Sequence, residues 1–159
     1  MNLSTDVKIT GGIIIVTVLI LVGSVILFSS KETSSVPKDQ IAAQNGLHWH
    51  PKVHVIIKGE KKEFENNIGL GTVHQKMHTH DEDYKDGVVH MEMQGVVTKE
   101  ETRLGRFFEI WGKTFNSVQI FDKKNGPEGT LTMTVNGKNN TDFENYQMLD
   151  GDSIEIKYE

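Results

Sequence analysis

The sequence predicts an α+β protein in which an apolar N-terminal helix precedes a mostly antiparallel sheet carrying one packed helix. Three observations predict it. From Ile9 to Ser30 no residue is charged, and "GGIIIVTVLILVGSVILF" is almost wholly aliphatic. From residue 47 onward, apolar and polar residues alternate over short runs separated by Gly, Asn and Asp, the period-two pattern of half-buried strands. Between two groups of such runs, "TKEETRLGRFFEIWG" switches to a helical period.

The N-terminal run comes first. At about 1.5 Å rise per residue, about 20 such residues cross the roughly 30 Å hydrocarbon core of a bilayer. A cleaved signal peptide is the competing reading, but its apolar core runs about 7 to 15 residues and ends in a small-x-small site. Here the run is longer, and "LFSSKE" places Phe28 badly for cleavage. Residues 1–30 are therefore expected to be a retained single-span transmembrane helix. Lys8 on one side and Lys31 and Lys38 on the other give no clear orientation bias. The short leader suits an N-terminus inside, which places residues 31–159 outside the cytoplasm. "SSKETSSVPKDQIAAQNG" reads as a polar tether over 31–46 ending in one helical turn, with the folded domain over 47–159.

Composition removes several function classes. The chain of 159 residues contains no cysteine, so disulfides, thiolate zinc sites, iron–sulfur clusters and cysteine nucleophiles are excluded. Any metal must be held by nitrogen, oxygen or thioether. A formal net charge of −5 argues against a nucleic-acid partner, which wants a basic face, and suits a domain that attracts cations.

In "HWHPKVHVII", Trp49, Pro51, Val53, Val55 and Ile57 alternate with His48, His50, Lys52 and His54, predicting one half-buried strand with a free edge at Pro51. "KGEKK" turns the chain into a short partner strand around Glu63 and Phe64. "GTVHQKMHTHD" and "VVHMEMQGVV" then flank "DEDYKDG", whose Asp86 and Gly87 supply turn chemistry. Thr98 and Glu101 stand at capping-box spacing ahead of an apolar stripe of Leu104, Phe107, Phe108 and Trp111, which Gly112 ends. "SVQIF", "LTMTVNGK" with a hairpin turn at Asn136-Gly137, and "DSIEIKYE" complete the strands.

All 7 histidines lie between His48 and His90. On a strand, residues i and i+2 point the same way about 6 to 7 Å apart, close enough to chelate one ion. That spacing occurs as His48/His50 and His78/His80, and His90-x-Glu92 follows. A hairpin centred near Tyr84 sets His78 opposite His90 and His80 opposite Val88, so His78, His80, His90 and Glu92 share a face. A neighbouring "HWH" strand brings His48 and His50 to it. For any one of these residues a polar strand face turned to water explains it as well. As a set, they read as a metal site, with His78, His80 and His90 ahead of His48, His50 and Glu92, and with His54 and His74 behind. A pH-responsive cluster of crowded imidazoles is the further alternative. Asp81 is a candidate ligand or orienting carboxylate. Met77, Met91 and Met93 fall on the opposite parity and belong to the core, and "DEDYKD", without the Gly and Glu spacing of an EF-hand, reads as a solvated turn.

The closing pattern, "VNGK" followed by "YQMLDGDSIEIKY", resembles the ends of β-grasp domains. The sulfur-carrier members of that group end in Gly-Gly, whereas this chain ends in Tyr158-Glu159, so their activity is not implied. The motifs "HWHPKVHVIIKG", "HTHD", "HME" and "LGRFFEIWG" resemble a largely uncharacterised family of small prokaryotic proteins with an N-terminal membrane segment, patterned H-x-H, HTHD, H-x-E and LGxFFxxWG. Relatives often carry another His where this chain has Lys52, and a shorter loop than "EDYKDG". The family implies no settled activity.

The combined expectation is a membrane-anchored, extracytoplasmic protein that binds copper or zinc through the histidine cluster, for capture, delivery or service as an accessory subunit, with a membrane metalloprotein as candidate partner. Imidazole suits both metals. A cupin-type metalloenzyme is the alternative, suggested by the Gly ahead of His-x-His in "GTVHQKMHTH", although a cupin wants Glu where Tyr84 stands. A metal-free structural or interaction module is the third reading.

Overall fold

A computed structural model describes residues 36–159. The expected span from Ile9 to Ser30 lies outside the described residues, and among those described no helix is long and apolar enough to cross a membrane. The fold is mixed α+β, its sheets mostly antiparallel, with a single α-helix among the described residues.

A 3-10 turn, Lys38–Gln40, leads into β1 (Ile41–Ala43), which pairs antiparallel with β7 (Val97–Thr98). Ladder pairing thus begins inside the segment expected to be a tether, in a unit that runs Val36–Glu159. Next come β2 (Leu47–Trp49) and β3 (Lys52–Ile57). The expected continuous strand is broken at His50-Pro51, where the missing proline N–H interrupts the ladder and the two halves join different sheets. The period-two burial survives the break: Pro51, Val53, Val55 and Ile57 are all buried. Lys58 and Gly59, both at positive φ, turn β3 into β4 (Glu60–Lys62), earlier than the expected Glu63 and Phe64.

β3 and β4 belong to a five-stranded sheet with β11 (Leu131–Val135), β12 (Lys138–Asn139) and β13 (Ser153–Tyr158), in the order β12-β11-β13-β3-β4. Its central pair, β13 on β3, is parallel, and the remaining pairs are antiparallel. Asn136 and Gly137, both at positive φ, form the hairpin turn expected between β11 and β12. β8 (Phe115–Asn116), β9 (Gln119–Ile120) and β10 (Lys123–Lys124) form a small meander.

Thr98 and Glu101 make the reciprocal capping-box bonds: Thr98 N–H donates to Glu101 Oε2 at 2.8 Å, and Glu101 N–H to Thr98 Oγ1 at 3.3 Å. They head a 3-10 turn, Glu100–Thr102, instead of the α-helix, because Arg103 is extended; α1 then runs Leu104–Trp111. Gly112 closes it in a Schellman arrangement, with Gly112 N–H bonded to Glu109 O and Lys113 N–H to Phe108 O. Leu104, Phe107 and Phe108 are buried and join Val53, Val55, Met133, Ile154 and Ile156 in one core.

Candidate metal centre

The third sheet positions the histidines. β2, β6 (His90–Met93) and β5 (Met77–His78) pair antiparallel in the order β2-β6-β5. Register sets Met77 opposite Met91 and His78 opposite His90, the pairing of a hairpin centred on Tyr84, as the spacing anticipates. The ladder stops at His78, and Val88 bridges Lys52. On the other flank His48 faces Glu92 and Trp49 faces Met91. Met77, Met91 and Met93 are buried in the core beneath, so thioethers occupy one face of this sheet and imidazoles the other.

His78 is fully buried and sits against a locked backbone. Thr79, between the two histidines, is buried with its hydroxyl donating to Glu65 O and accepting from Ile68 N–H, while Thr79 N–H donates to Ile68 O. Gly69 makes this close approach possible: at φ +77°, a Cβ there would sit 2.4 Å from Met77 O and 3.2 Å from His78 Cβ. The clamp aims His78 and His80 to the side opposite Thr79.

His78 Nδ1 lies 3.1 Å from Gln75 O. A carbonyl can only accept, so the neutral ring carries its proton on Nδ1 and leaves Nε2 bare. Burial, first, and the neighbouring His74 and His80 hold the His78 imidazole below its ordinary pKa, against the opposing pull of the Gln75 carbonyl and Glu92; it is kept neutral, as a metal ligand must be. His78 Nε2 and His80 Nε2 stand 3.1 Å apart. Two nitrogens on one tetrahedral ion, each about 2.05 Å from it, are about 3.3 Å apart.

His90 Nε2 lies 2.9 and 3.2 Å from the two Asp83 carboxylate oxygens. The carboxylate accepts the Nε2–H hydrogen bond and leaves the Nδ1 lone pair free, the pattern by which acidic residues fix the tautomer of metal-binding histidines. His50 is anchored through its backbone N–H, which donates to Asp150 Oδ1 at 2.8 Å. His48 Nε2 lies 3.4 Å from Glu92 Oε1.

Six of the seven imidazoles form one continuous row: His48–His50 at 4.7 Å between ring centroids, His50–His90 at 4.8, His90–His80 at 4.4, His80–His78 at 4.8 and His78–His74 at 4.5. Three sets bring their ligand atoms within 4.8 Å of one another: His48/His50/His90, His80/His90/Glu92 and His74/His78/Glu92. These groupings can hold a metal ion. All six expected residues, His48, His50, His78, His80, His90 and Glu92, fall within them. His54 stands apart on β3, with Nε2 2.9 Å from Asp86 O.

The structure brings three further residues to the row. His74 joins the row although it precedes β5, where strand parity does not apply. The carboxylate that meets the His90 imidazole is Asp83, from the loop read as a solvated turn, in the orienting role considered for Asp81. Asp150 comes from the far end of the chain. Only the acidic character of "DEDYKD" and "LDGD" hinted at these two.

No family model, curated protein or solved structure matches this chain.

Proposed function

We propose that the protein is a membrane-anchored, extracytoplasmic binder of a transition metal, copper or zinc, acting in capture, delivery or as an accessory subunit to a membrane metalloprotein. The observation that carries this reading is the pair of Nε2 atoms of His78 and His80, 3.1 Å apart on the sheet where His78 faces His90. Imidazole nitrogens suit either metal, and the Irving–Williams order favours Cu(II) at equal availability. The apolar run from Ile9 to Ser30 supports the anchor. Kinship with the small anchored prokaryotic family rests on the H-x-H, HTHD, H-x-E and LGxFFxxWG motifs. The five-stranded order, with two hairpins flanking a central parallel pair of first and last strands, supports a β-grasp-like core.

The cupin alternative gains no support from sheets of two, three, five and three strands. The test is elemental analysis of the full chain, purified without an affinity tag or chelator, beside a His78→Ala/His80→Ala variant and a His80→Ala variant that leaves buried His78 intact. Bound copper or zinc in the wild type, reduced in both variants while circular dichroism stays unchanged, is the expected result. A wild type that stays empty after reconstitution overturns the reading.

A further inference from the structure

We propose that the histidine row holds two metal ions, with Glu92 between them and His74 as a ligand of the second. The inference rests on the metal-binding reading above and deepens it. The donor count motivates it: a closed tetrahedral site takes four ligands, whereas six imidazoles and one carboxylate converge here. The sets His48/His50/His90 and His74/His78/Glu92 share no residue, yet each is compact enough for one ion. Three donors from each leave a place for His80, whose Nε2 reaches His78 while its ring touches that of His90.

Glu92 ties the two positions together. It belongs to the set with His74 and His78 and to the set with His80 and His90, and its Oε1 is 3.4 Å from His48 Nε2. A carboxylate with two oxygens and neighbours on both sides is the group that bridges paired ions, typically about 3.5 to 4 Å apart, and its negative charge offsets their mutual repulsion. The His74 end is also accessible. A groove of about 430 Å³, lined by His48, His74, Lys76, Glu92, Met93 and Gln94 among others, opens onto it. The Lys76 ammonium in that groove is held by Glu101 at 2.6 Å, which tempers the charge an incoming cation meets.

The test is a Cu(II) titration of the full chain in mild detergent, with bound metal counted and the loaded protein examined by electron paramagnetic resonance. Because His74 and His48 are exposed, His74→Ala and His48→Ala/His50→Ala remove donors without opening the core. The wild type is expected to take two equivalents and show spin coupling, as a half-field transition or a loss of signal. Each variant is expected to take one equivalent with an uncoupled spectrum. A wild type that takes one equivalent, unchanged in His74→Ala, overturns the second ion and leaves the single-site reading standing. Two equivalents retained in His74→Ala overturn the assignment of that residue, and no binding at all overturns both readings.

Discussion

The five-stranded sheet and the histidine sheet are built from the same kind of strand and do opposite things with their outer faces. In the first, Val53, Val55, Ile154 and Ile156 face the core, while Lys52, His54, Glu155 and Lys157 are left to the other side. In the second, Met77, Met91 and Met93 face the same core, and His78, His90 and Glu92 are turned together. The first sheet has ladders of five and six pairs at its centre and of two and three at its edges; the second has only ladders of two and three. Backbone pairing alone cannot keep such short strands in place. The lesson is that the histidine face is held from below, by methionine packing and by the Thr79 clamp, so its chemistry borrows rigidity from a core built elsewhere.

The comparison breaks most severely if the shared core is cut. Ile156→Ala removes a fully buried side chain from the central strand and is expected to cost about 3 kcal/mol, read by urea denaturation. It should lower metal retention near the unfolding transition as well. Should metal binding survive where the five-stranded sheet has melted, the two sheets are independent units.

Asp152 tests the joint between the sheets. Its buried carboxylate accepts from Asn136 Nδ2, the Tyr146 hydroxyl and Leu149 N–H, while its carbonyl accepts Lys52 N–H beside the strand break. Burial and this carboxylate push the Tyr146 phenol above its ordinary pKa, so it remains a donor. Asp152→Ala strands those donors and is expected to cost about 2 to 3 kcal/mol in thermal or chemical unfolding. Metal affinity should fall with it, because Asp150 and His50 lose their support.

On the histidine sheet itself, Asp83→Ala should leave the unfolding midpoint nearly unchanged and weaken metal binding by about tenfold, since only the orientation and basicity of His90 are lost. Competition with a chromophoric chelator measures it, and an unchanged affinity would show that His90 ligates without help.

The smallest effect belongs to Glu101. Burial raises its pKa, but the hydrogen bonds from Lys76 and Thr98 outweigh that and hold it below 4.5. A carboxylate with a depressed folded-state pKa stabilises above its unfolded value and loses that contribution as the pH falls through the folded value. Glu101→Gln is therefore expected to be less stable than wild type at pH 7, by under about 1 kcal/mol, with the gap closing below about pH 4.5. A gap that persists at pH 3 would assign the effect to packing.

Much of this was legible in the residues because period-two alternation constrains which faces strands share. The hairpin centred on Tyr84 follows from the spacing of "MHTH" and "HMEM", and the burial of the three methionines from their parity. Pro51 pointed to a free edge, but not to a break whose two halves enter different sheets, which depends on β13 arriving beside β3. His74 and Asp83 lie in irregular backbone, where no period relates sequence to direction. β1 on β7 escaped notice because three residues, Ile41–Ala43, carry too little pattern to register as a strand.

The parallel joining of β13 to β3 also sets an order of events. Residues on either side of it, His50 and Asp150, stand 100 positions apart, whereas β5 and β6 are neighbours along the chain. Closing the longer loop costs more entropy and is favoured only once the distant strand docks. A newly made chain therefore brings His78, His80 and His90 together early and receives His50 late. On the proposed metal-binding reading, an ion arriving in the interval would meet only part of its final ligand set, so the rate of loading, as distinct from its equilibrium, would follow the docking of the last strand.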